Sequence, residues 1–125
     1  MDKQDKIGAI SINGIEYIKK TDAPTKELNA EGLPYVVIRT YSAGVHAGSL
    51  AKREGKEVTL YNTRRIWYWS GAASLSQLAL EGVKNPKDCK FSVVLPEIIL
   101  MEAIELLPCT KEAFKSISEV AVWKN

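Results

Sequence analysis

Histidine and cysteine are scarce in this chain: 125 residues contain one histidine, His46, and two cysteines, Cys89 and Cys109. One imidazole cannot build a histidine-rich zinc site, and it has no evident triad partners. The cysteines have neither metal-ligand nor C-x-x-C spacing. No metal, no cofactor and no catalytic residue is therefore expected. Long apolar runs are missing as well. The longest candidate, Val93–Leu107, is interrupted by Pro96, Glu97, Glu102 and Glu105, and the polar N-terminus offers no signal-peptide core. No membrane association is expected, and the cytoplasm, with free thiols, is the expected compartment. The third absence is strong charge of either sign. Seventeen basic against 15 acidic residues leave a net charge of +2, too little to grip many phosphates, so a nucleic-acid partner is not expected.

What is present is the profile of a globular protein, 46% apolar and 26% charged, with room for one ordinary domain. Residues 1–32 read as a hairpin arm and linker. Asn13-Gly14 supplies a type I′ turn between Ile7–Ile12 and Ile15–Lys19, and Lys20–Gly32 has no periodicity. The arm packs on the body or on a neighbouring subunit. Residues 33–125 read as a single α+β domain: an antiparallel meander or small barrel-like sheet of about five to seven strands in all, with two short helices.

Strand signals cover Tyr35–Tyr41, Val45–Lys52, Glu57–Tyr61 and Arg65–Trp69, separated by Ser42-Ala43-Gly44, Arg53–Lys56 and Asn62-Thr63. The rhythm of Gly48–Leu50 and Val58–Asn62 is similar to the central strands of SH3-like and Sm-like barrels. Ser74 and Gln77 form a capping box for a short helix that Gly82 closes. Phe91–Leu95 reads as a strand. The segment 97–107 is ambiguous: Ile98, Met101 and Glu102 fit a helix, while Ala103–Leu107 favours a strand ended by Pro108. Thr110 caps a second helix, Lys111–Glu119, and Val120–Lys124 returns toward the sheet.

Chemistry concentrates in Arg64–Gly82. Alternation puts Arg65, Trp67 and Trp69 on one strand face, which makes that face either a second hydrophobic layer or a platform for stacking a flat ring. All four arginines, Arg39, Arg53, Arg64 and Arg65, lie between positions 39 and 65. Arginine suits bidentate anion recognition, and a salt-bridged sheet surface is the competing reading for each. Ser70–Ser74 is a small-residue loop entering a helix, where free N–H groups favour an anion, although its spacing matches neither common phosphate-binding motif. The candidate ligand-binding residues are Arg39, Tyr41, His46, Arg64, Arg65, Trp67, Trp69, Ser70, Gly71 and Ser74. The competing reading of His46 is a hydrogen-bonded strand histidine.

The segments TYSAGVHAG (Thr40–Gly48), RRIWYWSGAASLSQLALEG (Arg64–Gly82) and LLPCTKEAFKSI (Leu106–Ile117) together resemble a family of small uncharacterised proteins of tailed bacteriophages and prophages. The resemblance covers Tyr35 to Trp123 and carries no catalytic residue. It implies a host-cytoplasm setting and a counter-defence role. One form of that role is a homo-oligomeric sponge that sequesters a cyclic-nucleotide or ADP-ribose-type immune signal through an Arg/Trp pocket. The alternatives are a protein-binding inhibitor of a host defence factor and a phage structural or assembly module. An enzyme is the least expected.

Overall fold

The computed structural model describes residues 9–12, 15–18 and 32–123. The Asn13-Gly14 turn and all of the linker before Gly32 lie outside them. Eight strands and two helices occur among the described residues: β1 (Ala9–Ile12), β2 (Ile15–Ile18), β3 (Tyr35–Thr40), β4 (Val45–Glu54), β5 (Glu57–Tyr68), α1 (Leu75–Glu81), β6 (Lys90–Phe91), β7 (Leu95–Leu100), β8 (Ala103–Pro108) and α2 (Lys111–Glu119). A single 3₁₀ turn occupies Pro86–Asp88. The class is α+β with a meander-like antiparallel sheet.

The main path of the sheet is β8-β3-β4-β5-β7, every pair antiparallel. The first hairpin joins it where β2 pairs with the far end of β4, at Glu16↔Arg53 and Tyr17↔Lys52. The path ends are consecutive in the chain, since only Met101-Glu102 separates β7 from β8. Four strand spacings in a flat sheet would put those ends roughly 19 Å apart. The three peptide links from Leu100 to Ala103 reach at most about 11 Å. The sheet must therefore curl. The Ala103 N–H, next to Thr40 in the β3–β8 ladder, donates to the Lys56 carbonyl at the tip of the β4–β5 hairpin, 3.0 Å away.

Curling gives the sheet two buried faces. Val36, Ile38, Leu50, Val58, Leu60 and Leu100 fill the inside of the curl. Tyr35, Val37, Ala47 and Ile66 face the other way, onto Leu78 and Ala79 of α1, Ala113 and Ile117 of α2, and Phe91. Strand β3 lies between the two cores. That is why Tyr35-Val36-Val37-Ile38 is a continuous apolar run rather than an alternating one.

The helices begin and end where their caps dictate. The Ser74 hydroxyl accepts the Gln77 N–H, and Gly82, at φ 76°, returns its N–H to Leu78. Thr110 couples the two helices, because its hydroxyl accepts the Ala113 N–H and donates to the Leu80 carbonyl at 2.7 Å.

Two local expectations are corrected and one ambiguity is resolved. Glu57–Tyr61 and Arg65–Trp69 are not separate strands: β5 runs unbroken to Tyr68, and Asn62 takes a positive φ of 49° inside it, so the turn residue bends the strand without ending it. The expected Phe91–Leu95 strand is interrupted: Phe91 pairs with Ile66 in β6 and Leu95 with Thr63 in β7, while between them the Ser92 hydroxyl, not a ladder carbonyl, takes the Arg65 N–H. No helix forms over 97–102. Both 95–100 and 103–108 are strands, paired to opposite sides of the sheet, and Val122 makes a parallel bridge to Phe91.

Candidate functional site

Alternation along β5 sends Arg64 and Ile66 to the helix side and Thr63, Arg65 and Trp67 to the inside of the curl. Register completes the arrangement, because His46 of β4 lies directly opposite Arg65. Beyond the inner core these residues meet Ser92, Val93, Leu95 and Ile98, which form the facing wall of a cleft of about 220 Å³ at one open end of the curled sheet.

At the inner end, His46 and Thr63 are buried. His46 Nε2 lies 2.9 Å from the Ala43 carbonyl, and Thr63 Oγ1 donates to the Ala47 carbonyl at 2.9 Å. Burial holds the His46 imidazole below its ordinary value; the Ala43 carbonyl opposes this and the Arg65 charge adds to it. The Arg65 side chain is part-buried and makes no hydrogen bond or ion pair among the described residues, although its backbone N–H is held by Ser92 Oγ at 2.8 Å. At the mouth Trp67 is 52% exposed and meets Trp123 edge to face, ring centroids 5.2 Å apart. Lys90 Nζ lies over the Trp123 ring, 5.2 Å from its centroid.

Of the ten expected ligand residues, the structure brings His46, Arg65 and Trp67 together and separates the rest. Arg39 pairs across strands with Glu105, Nε to Oε1 at 2.8 Å, on an exposed surface. Tyr41 is solvent-exposed in the β3–β4 turn. Arg64 is buried on the opposite face, where it donates to the carbonyls of Ser92, Ile117 and Val120 at 2.9, 2.9 and 2.7 Å. Trp69 does not share a face with Trp67. The strand ends at Tyr68, its register against β6 shifts between Ile66 and Tyr68, and the Trp69 ring packs against the helix-side core.

The Ser70–Ser74 loop does not line the cleft. Two of its N–H groups already have partners: Ser70 donates to Cys89 Sγ at 3.3 Å, and Ala73 donates to Gln77 Oε1 at 2.8 Å. Gly71, at φ 95°, serves close packing instead. A Cβ there would stand 2.4 Å from the Lys84 nitrogen. Ser74 is occupied as the cap of α1.

Thr63, Ser92, Val93, Leu95 and Ile98 were not anticipated. Alternation back from Arg65 points to Thr63, whereas the facing wall depends on pairing between β5 and β7 that no local pattern carries. Among the described residues no cluster of three or more histidine, cysteine, aspartate or glutamate side chains could hold a metal ion, and no helix is long and apolar enough to cross a membrane. Burial pushes the Cys109 thiol up to about 12, far from a nucleophilic thiolate at neutral pH.

No curated protein matches the chain significantly. No solved structure does either. A family model does match, over residues 33–117, which takes in the body of the sheet, the cleft and almost all of α2. The chain therefore belongs to the family described as a domain of unknown function, DUF6948.

Proposed function

We propose that the protein is a non-enzymatic binding module for a small nucleotide-derived anion, acting in the host cytoplasm as a phage-encoded sponge for a cyclic-nucleotide or ADP-ribose-type immune signal. One observation carries the reading: Arg65, part-buried and without a protein partner among the described residues, lies beside Trp67 in a cleft walled by Val93, Leu95 and Ile98. A guanidinium drawn partly out of water with nothing to bond costs free energy, and a bound anion removes that cost. Trp67 adds a flat face on which a ring stacks.

At about 220 Å³ the cleft falls below the roughly 300 Å³ of the smallest drug-sized pockets, so it takes one ring system and leaves the rest of the ligand across the mouth. With Arg39 and Arg64 committed elsewhere, the contacting cation is Arg65. The reading is of binding without reaction, since the one imidazole is held by Ala43 and the Cys109 thiol is masked by burial.

Thermal shift and calorimetry with AMP, GMP, ADP-ribose and cyclic di- and trinucleotides test the proposal on the wild type, Arg65→Ala and Trp67→Ala. At least one ligand is expected to raise the melting temperature of the wild type and of neither variant. A flat response to every ligand overturns it.

A second reading has its own observation. Trp67 and Val93 of the cleft and Trp123 against Trp67, with their chain neighbours Tyr68 and Val94, leave large apolar side chains exposed, the composition of a protein-binding hot spot. A host defence factor recovered in one-to-one ratio, and lost with Trp67→Ala, would favour an inhibitor. A change in oligomer size with the same variant, measured by light scattering, would favour self-association in a homo-oligomer or assembly module.

A further inference from the structure

The inner end of the cleft has a hydrogen-bonding polarity that the proposed ring must match. His46 and Thr63, which form it, are 1% and 2% exposed. A carbonyl only accepts, so the 2.9 Å contact between His46 Nε2 and Ala43 O places the ring proton on Nε2. The neutral ring then keeps Nδ1 as an acceptor, and Nδ1 has no protein partner among the described residues. Thr63 has likewise given its hydroxyl proton to the Ala47 carbonyl, which leaves only lone pairs. Ser92 on the facing wall is closed in both directions: its Oγ donates to the Val93 carbonyl and accepts the Arg65 N–H, each at 2.8 Å. The inner end thus offers acceptors, while the uncommitted side-chain donors among the lining residues are the Arg65 guanidinium and, at the mouth, the Trp67 indole N–H.

Resting on the binding reading above, we infer that the cleft selects heterocycles whose buried edge presents N–H donors, as an amino-bearing nucleobase does, with the attached anion met by Arg65. A ring that turns an acceptor or a bare C–H toward His46 and Thr63 leaves a buried acceptor unmatched, and that discriminates strongly where both residues are almost wholly buried. Guanine matches best in outline, since its N1–H and 2-amino group put donors side by side. Adenine offers its 6-amino group.

Pairs of ligands that differ only in the amino group provide the test. GMP is compared with IMP, which lacks the 2-amino group, and AMP with purine riboside 5′-monophosphate, which lacks the 6-amino group. Calorimetry on the full chain is expected to show the amino-bearing member of at least one pair binding about tenfold or more tightly. His46→Gln keeps a donor near the Nε2 position for Ala43 and removes the Nδ1 acceptor. With its fold confirmed by circular dichroism and a cooperative melt, it is expected to erase that preference while residual binding through Arg65 and Trp67 persists. Equal affinities within both pairs overturn this inference and leave the binding reading standing. Binding of none of the four overturns this inference, and the binding reading falls with it only when ADP-ribose and the cyclic nucleotides also fail to bind. A preference that survives in both His46→Gln and Thr63→Val overturns the assignment of the acceptors.

Discussion

Arg64 and Arg65 are consecutive on one strand and face opposite sides of the sheet: the first is 3% exposed and bonded to three carbonyls, the second faces the cleft with no partner among the described residues. Two of the carbonyls, of Ile117 and Val120, belong to the last turn and end of α2, where a positive charge is favoured by the helix dipole. The same guanidinium lies 5.4 Å from the centroid of the Phe91 ring. Arg64 thus ties β5, the Phe91–Ser92 segment and α2 together without a carboxylate.

Arg64→Met is expected to destabilise the fold by about 3 kcal/mol or more, because it strands three buried or part-buried carbonyls. Arg64→Lys is expected to recover only part of this, since one ammonium cannot copy the planar fork. Urea unfolding of the two variants measures the difference. A loss below about 1 kcal/mol in Arg64→Met would remove Arg64 from the framework.

Gly71→Ala is expected to cost about 2 kcal/mol or more, through both the positive φ and the clash with the Lys84 backbone. Ligand affinity in the folded fraction is expected to stay unchanged, because Gly71 does not line the cleft. Calorimetry at a temperature where the variant is folded separates the two effects. A selective loss of affinity would return the Ser70–Ser74 loop to the site.

How much of this was legible follows from the range of each signal. Ser74, Gln77, Gly82 and Thr110 mark helix ends by bonds to residues three or four positions away, and the structure places both helices on those marks. The turns at Ser42–Gly44 and Gly55-Lys56 are equally local. Asn62 misled because the same positive φ serves a turn or a bend within a strand, and only the partners of β5 on both edges decide. Arg64 and Arg65 read alike as residues, and strand parity separates them once the face holding α1 and α2 is known. Trp69 escaped parity because the strand ends one residue earlier. The cleft itself is a non-local object, made where β7 comes round to β5 after the chain has passed through α1, the 3₁₀ turn and β6.

His46 makes stability depend on pH with a definite sign. Its folded-state value lies below the ordinary 6.5 because of burial first, with Arg65 adding to the depression and the Ala43 carbonyl opposing it. Above about 6.5 both folded and unfolded states hold it neutral. As pH falls through that value the unfolded chain takes up the proton first, so stability declines until the folded-state value is reached. Urea midpoints between pH 7.5 and 5 are expected to fall for the wild type, and to fall less for His46→Gln. Parallel profiles for the two proteins would contradict the assignment.

Cys109 is buried, and its thiol is pushed up to about 12; Cys89 is also buried and accepts the Ser70 N–H. Neither is expected to react with a thiol-specific reagent at pH 8 in the native protein, and both are expected to react at once in denaturant. Under native conditions labelling then reports opening of the helix-side core, where both residues lie. Fast labelling of Cys109 in the folded protein would show that the face between β3, β8 and the helices opens independently of the rest.

Arg65 separates stability from binding most sharply. Its side chain makes no bond within the described protein, so Arg65→Leu loses no hydrogen bond and removes a part-buried charge from an apolar wall. The unliganded variant is expected to unfold within about 0.5 kcal/mol of the wild type, or to be the more stable of the two. Adding the best-binding nucleotide should reverse the order. At a hundredfold excess over the dissociation constant a ligand stabilises its host by about 2.7 kcal/mol, which in a domain of this size raises the melting temperature by roughly 10 °C or more. The wild type is expected to gain that and the variant little. Melting curves of both proteins with and without the ligand read the crossing directly. If Arg65→Leu instead melts well below the unliganded wild type, the guanidinium has a structural role and the cleft loses its argument for an anion.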